Sequence, residues 1–199
     1  MIGIVDYGAG NLRSVCKALA YLQAPHCVVH SAPELETVER VILPGVGSFG
    51  YAVERLRAAG LFDPLKAWLE QGRPFLGICL GLQLLLEGSE ESPDTVGFAI
   101  FRGKSRRFHG RRVPQIGWNS VEFASTCCLF AGLASGEHFY FVHSYWAMLE
   151  DERGVAGWTD YGVRYASAVG RGRLWAVQFH PEKSSSSGLT VLKNWIERC

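Results

Sequence analysis

This 199-residue sequence has no C-x-x-C pair, no excess of charge of either sign, and no run of about 18 apolar residues. Each absence excludes a class of protein. Lys and Arg total 20 and Asp and Glu total 19, a formal charge of +1. That balance argues against a globally basic nucleic-acid binder and against an acidic tail protein. Uncharged stretches such as Phe123–Gly136, Pro74–Leu86 and His138–Leu149 are too short to span a bilayer, so no membrane segment is expected. Met1–Asp6 meets an acid at once and has no basic leader, so no signal peptide is expected either. The six cysteines, at 16, 27, 79, 127, 128 and 199, then read as free thiols in a reducing cytoplasm. No His, Cys, Asp or Glu group has zinc spacing, so neither a metal nor another cofactor is expected.

What is present is a globular composition, 48% hydrophobic and 20% charged. The length suits one domain, residues 1–199, that buries roughly 70% of its unfolded surface without a staple. Apolar runs at Ile2–Val5, Cys27–His30, Arg40–Leu43 and Phe75–Ile78 alternate with helical patterns. The first helix follows Asn11 and turns Leu12, Val15, Cys16, Leu19 and Leu22 to one side. Others cover Tyr51–Ala59, a segment capped by Asp63 with Pro64 next, and Leu80–Leu86. Such alternation predicts an α/β fold: an open, mostly parallel twisted sheet flanked by helices. The second half is β-rich, with strands over Ile100–Phe108, Trp118–Phe123, Phe139–Tyr145, Val155–Thr159, Ala166–Val169 and Leu174–Phe179. A closing helix spans Gly188–Arg198.

The sharpest chemical signal is Gly77-Ile78-Cys79-Leu80-Gly81. A buried strand runs into a nucleophile that opens a helix, with glycines two residues either side. This is the cysteine form of a nucleophile elbow, and the helix start would favour the reactive thiolate. A thiolate needs a proton partner. His180 ends an apolar strand, Pro181 stops the ladder, and Glu182 lies two residues on, on the same side of an extended chain. Glu182 could then fix the imidazole tautomer. Alone, the pair reads better as a strand-end histidine with a solvated acid; with an elbow cysteine about 100 residues upstream, the two readings stand about even. His143, in Phe141–Tyr145, competes for the role but has no acid within three residues, so it reads as strand-borne wall. Pro44-Gly45-Val46-Gly47 follows a strand and could, with the Leu80 amide, hold a developing oxyanion. Gly8-Ala9-Gly10 has neither dinucleotide nor P-loop spacing. Arg102, Lys104, Arg106, Arg107, Arg111 and Arg112 form a stretch without acids. It reads as a solvated hairpin or as a docking face for an acidic or phosphate-bearing partner.

At Gly77–Gln83 and His180–Glu182 the sequence resembles the class I (triad) glutamine amidotransferases. Asp6–Asn11, Pro44–Phe49, Pro114–Asn119, Val142–Tyr145 and Gln178–Ser184 narrow the resemblance to glutaminase subunits of imidazole glycerol phosphate synthase. The glutaminases of anthranilate synthase usually carry His where Leu82 stands, and lack a Lys at the position of Lys183. Ala99 and Ser105 depart from the pattern, which expects Gly and Val there. The resemblance implies a catalytic triad of Cys79, His180 and Glu182, and an oxyanion hole from Val46, Gly47 and Leu80. It implies glutamine contacts from Gln83, Val142, His143, Ser144 and Tyr145, and coupling through Asn11, Trp118 and Lys183. It also implies a heterodimer with a (β/α)₈-barrel cyclase that receives the ammonia for histidine biosynthesis. Two rivals keep the same elbow or fold: a stand-alone cysteine hydrolase, and a regulatory module that would usually have lost a triad member.

Overall fold

The computed structural model describes residues 1–8 and 11–199; Ala9 and Gly10 of the Gly8–Gly10 cluster lie outside the described residues. The first half builds β1 (Ile2–Val5), α1 (Leu12–Tyr21), β2 (His26–Val29), α2 (Ala32–Leu35) and β3 (Arg40–Gly45). It continues with α3 (Phe49–Ala58), α4 (Phe62–Glu70), β4 (Phe75–Cys79) and α5 (Leu80–Gln83). Then come β5 (Gly88–Ser89), β6 (Ser92–Val96), β7 (Gly103–Arg107), β8 (Gln115–Phe123), β9 (Glu137–His143) and β10 (Tyr145–Leu149). The chain ends with β11 (Val155–Asp160), β12 (Arg164–Arg171), β13 (Leu174–Val177) and α6 (Ser185–Arg198).

The main sheet runs β2-β1-β3-β4-β13-β12-β10-β7-β5-β6, with β11, β8 and β9 branching from β12. The first five strands in that order are parallel. The antiparallel β12 and β10 follow. The fold is therefore α/β, with a parallel centre and a β-rich extension. Alternate residues of the parallel strands feed two cores. Val5, Val41, Leu43 and Phe75 pack with Val53, Leu56, Leu65 and Trp68 of α3 and α4. Ile4, Ile42, Leu76 and Ile78 pack with Val15 and Leu19 of α1 and with Val191, Leu192 and Trp195 of α6. Burial on both faces explains why these strands read as continuous apolar runs.

Register places the site. Gly45 at the end of β3 lies beside Cys79 at the end of β4. Val177 of β13 lies beside Ile78, so the chain leaves β13 toward Gln178 and His180 at the same edge. Three strand ends thus converge at the carboxyl edge of a parallel sheet, where such folds hold ligands.

Several boundaries differ from the sequence reading. The helix expected from Leu80 to Leu86 is a single turn. Asp63 lies inside the first turn of α4 rather than at its cap, and Asn11 makes no side-chain cap bond. The polar segment around Glu87–Asp94 contributes two short strands, β5 and β6. The cysteine expectation is corrected as well. Cys128 and Cys199 form a disulfide with Cα atoms 6.1 Å apart, and Cys16, Cys27, Cys79 and Cys127 are free. The cause is tertiary: α6 folds back on the 3₁₀ turn Cys128–Phe130, where Asn194 donates to the carbonyls of Leu129 and Ala131. No spacing rule could have paired residues 71 apart.

Candidate active site

The elbow is built by close backbone approach. Cys79 has φ 55° and ψ −104°, in the left-handed half of the map that non-glycine residues avoid. A Cβ at Gly77 would lie 2.7 Å from the Gly81 carbonyl, and one at Gly81 would collide with the carbonyl oxygen of Leu43. A Cβ at Gly45 would lie 2.6 Å from the Leu80 Cβ. These glycines let β3, β4 and α5 press together and leave the Cys79 side chain projecting from the turn. Because α5 is one turn long, few peptide dipoles add up behind the sulfur, and the helix contributes less than the sequence suggests.

Cys79 lies at a cavity of about 290 Å³. Every residue assigned to the oxyanion hole or to glutamine lines it: Val46, Gly47 and Leu80, with Gln83, Val142, His143, Ser144 and Tyr145. Two further lining residues, Glu91 and Pro114, had no assigned role. Glu91 sits in the polar β5–β6 region and accepts from the Phe49 backbone N–H at 2.7 Å, tying that region to the loop after β3. Nothing local in the sequence separates Glu91 from the neighbouring acids. Gly47 takes φ +98°, a value glycine tolerates. Beneath this loop the buried Tyr7 hydroxyl donates to the Pro44 carbonyl at 3.3 Å. Burial, with smaller effects from Cys79 and Asp6, pushes the Tyr7 hydroxyl well above the usual phenol range.

His180 Nδ1 meets Glu182 Oε1 at 2.8 Å, with both side chains only 2% exposed. The segment Pro181–Lys183 is a 3₁₀ turn rather than extended chain, yet it still brings the two together. The backbone is pinned on both sides. His180 N donates to the Tyr140 carbonyl at 2.9 Å, and Ser184 Oγ donates to the His180 carbonyl at 2.6 Å. His180 Nε2 is buried with no hydrogen-bond partner. Burial alone would lower the His180 pKa. Interaction with Cys79 and Glu182 outweighs it and raises the value to about 10.

His143 is not an alternative base. It donates from Nδ1 to the Tyr145 carbonyl at 2.8 Å, and its Nε2 lies 3.2 Å from the hydroxyl of Tyr165, whose one hydrogen goes to Gln115 Oε1 at 3.0 Å. Burial drives the His143 pKa down to about 4, despite the Tyr145 bond. It is a neutral wall. The coupling candidates lie elsewhere. Trp118 on β8 is 52% exposed and packs edge-on against Tyr140. Lys183 is exposed, and Asn11 precedes α1, which packs beside the Pro181–Lys183 turn. The basic residues Arg102–Arg112 are all exposed. Among the described residues no group of three or more His, Cys, Asp or Glu is placed to hold a metal, and no helix is long and apolar enough to cross a membrane.

Comparison with known proteins agrees with this geometry. The family profile "Glutamine amidotransferase class-I" matches residues 3–199. The imidazole glycerol phosphate synthase subunit HisH of Desulfitobacterium hafniense is 47% identical, covering 98% of this chain and 93% of its own. The HisH subunit of Thermococcus kodakarensis is 48% identical, covering 98% of both chains. Among solved structures, one titled "Crystal structure of glutamine amidotransferase" superposes with a TM-score of 0.75 at 20% identity, over 98% of this chain and 97% of that one. The structure of PurLQS from Thermotoga maritima gives 0.74 at 19% identity, over 98% and 96%. The chain belongs to the class I glutamine amidotransferases and, among them, to the glutaminase subunits of imidazole glycerol phosphate synthase.

Proposed function

We propose that the chain, as one domain, hydrolyses glutamine through a Cys79–His180–Glu182 triad and delivers ammonia to a cyclase partner. The observation that carries this is the buried His180–Glu182 pair with its unpartnered Nε2, beside an elbow cysteine at a small cavity. The Cys79 thiolate attacks the side-chain amide carbon of glutamine. The oxygen becomes negative as the carbon turns tetrahedral, and the amides of Val46, Gly47 and Leu80 receive it. Protonated His180 gives its proton to the departing nitrogen, which leaves as ammonia, and a thioester remains on Cys79. Neutral His180 then takes a proton from water, the water oxygen attacks the thioester, and glutamate leaves. Glu182 holds the imidazole through Nδ1, so Nε2 makes both transfers.

Gln83 spends its amide N–H groups on Tyr145 O and Gln178 Oε1, which frees its oxygen for the ammonium group of glutamine. Val142, His143, Ser144 and Tyr145 close the other wall, and Glu91 offers a carboxylate to the same ammonium.

Free ammonia becomes ammonium in water and stops being a nucleophile. The chain therefore works in a heterodimer, sealed against a (β/α)₈ cyclase through Asn11, Trp118 and Lys183. There the ammonia yields imidazole glycerol phosphate and aminoimidazole carboxamide ribotide in cytoplasmic histidine biosynthesis. Uncoupled hydrolysis would waste glutamine, so the free subunit is held nearly inactive by the Pro44–Gly47 loop, where a glycine peptide can flip. The test is glutamate release by the purified chain, alone and with the cyclase plus its nucleotide ligand, with Cys79→Ala as control. Release only in the complex, lost in the mutant, is expected. Full activity alone indicates a stand-alone hydrolase.

A further inference from the structure

At the carboxyl edge of the sheet lies a buried polar side chain to which the reaction above gives no role toward the sulfur. Gln178 is 0% exposed, one residue beyond β13 and two before His180. Its Nε2 donates to Cys79 Sγ at 3.5 Å. The β4–β13 register sets this up, since Val177 pairs with Ile78 and the next residue of each strand lies at the elbow.

The direction of the Gln178 amide is fixed by a chain of bonds that ends on a backbone group. The carbonyl of Tyr145 can only accept, so the group of Gln83 that meets it at 2.9 Å is its NH₂. That NH₂ has a second hydrogen and donates it to the Gln178 side chain at 3.2 Å, which must present its oxygen. The Gln178 NH₂ then faces the sulfur. No other orientation satisfies both neighbours, and a buried amide left unsatisfied would cost free energy.

We infer that Gln178 is a positioning residue for the Cys79 sulfur: its amide N–H holds the sulfur at the cavity and favours the thiolate over the thiol. This rests on Cys79 being the nucleophile. A one-turn α5 gives little dipole assistance, and besides His180 the sulfur also meets the Val142 carbonyl, at 3.9 Å. A carbonyl accepts from a thiol and gives a thiolate nothing. The sulfur thus sits between a group that suits its neutral form and an amide that suits its charged form. His180 must release its proton during turnover, whereas the Gln178 amide keeps its own, so the sulfur keeps one fixed donor throughout. Because Gln83 also lines the glutamine cavity, a substrate that engages Gln83 tightens the amide that faces the nucleophile.

The test is the pH dependence of Cys79 alkylation by iodoacetamide in the full chain, located by mass spectrometry. It is paired with glutamine turnover by the complex with its cyclase. Gln178→Leu removes the donor, Gln178→Asn withdraws the amide by one methylene, and Gln178→Glu puts a carboxylate against the sulfur. Leu and Asn are expected to move the half-rise of the alkylation profile up by about one pH unit, and Glu further. In the complex kcat should fall about tenfold and KM rise by no more than about threefold, because Gln178 faces the sulfur directly and glutamine only through Gln83. A merely structural Gln178 would change melting but leave the alkylation profile where it was. Profiles superimposable on the parent in the variants that fold would overturn the inference. Glutamine hydrolysis surviving in Cys79→Ala would overturn the nucleophile assignment instead, so the two failures are distinguishable.

Discussion

At the scale of single residues, the two buried histidines of the site are driven in opposite directions by their partners. His180 keeps its proton up to about pH 10, because Cys79 and Glu182 outweigh burial. His143 stays neutral down to about pH 4, because burial, with a smaller effect from His180, outweighs the Tyr145 bond. Sequence reasoning separated the two by one local fact, the acid two residues after His180. It could not see that the Tyr165 hydroxyl lies against the other nitrogen of His143. The signs of the stability effects follow. The raised pKa of His180 contributes stability that is fully present below its ordinary value near 6.5 and is lost as pH rises through about 10. The depressed pKa of His143 costs stability as pH falls from about 6.5 toward 4, where the unfolded chain binds a proton that the folded chain refuses. Imidazole NMR on the free chain reads both. His180 should titrate near pH 10 in the parent and distinctly lower in Cys79→Ala and in Glu182→Gln, each of which removes one raising contact. An unchanged His180 titration in both variants would break the assignment of those contacts.

At the scale of elements, the elbow and the loop after β3 were legible because their chemistry is written in adjacent residues. Gly77, Gly81 and Gly45 mark where backbones must touch, and the structure shows what each touches. The length of α5 was not legible. An apolar run from Leu80 to Leu86 fits a helix or a buried irregular turn equally well. Here the turns after Gln83 place Leu84, Leu85 and Leu86 in the core without further helix. β5 and β6 were missed because Ser92-Pro93-Asp94-Thr95 lacks apolar alternation, and these strands exist through pairing with each other and with β7. Gln178 was invisible as a neighbour of Cys79 because the two are 99 residues apart and meet only through the β4–β13 pairing, and Glu91 because nothing local marks it among the acids around it. The elbow carries its own prediction. Gly81→Ala should cost about 1–3 kcal/mol in denaturant melts, since the new methyl meets the Leu43 carbonyl rather than a flexible side chain. It should also slow Cys79 alkylation in whatever fraction folds. A stable variant with parental alkylation would mean that the turn relaxes without displacing the sulfur.

At the scale of the whole molecule, the proposed docking face and the proposed base His180 are joined through β8 and β9. Ile116 and Trp118 project from the same side of β8, 63% and 52% exposed, an adjacent apolar pair of the kind that suits a docking face. Their strand is paired with β9 so that Trp118 lies opposite Tyr140. Tyr140 touches the Trp118 ring edge-on, and its backbone carbonyl accepts the N–H of His180. In the proposed heterodimer, a partner seated on Trp118 would load the strand that anchors the proposed catalytic imidazole. Lys183 stands exposed on the turn that follows. Trp118→Ala removes an aromatic anchor and the packing on Tyr140 together. Affinity for the cyclase, measured by calorimetry, should fall roughly tenfold or more, as for a buried aromatic hot spot. Saturating cyclase should then fail to restore full glutamine turnover, because the strand behind His180 is no longer braced. Complete restoration at saturation would show that Trp118 contributes contact alone, and that the signal to His180 enters through Lys183 or the Pro44–Gly47 loop.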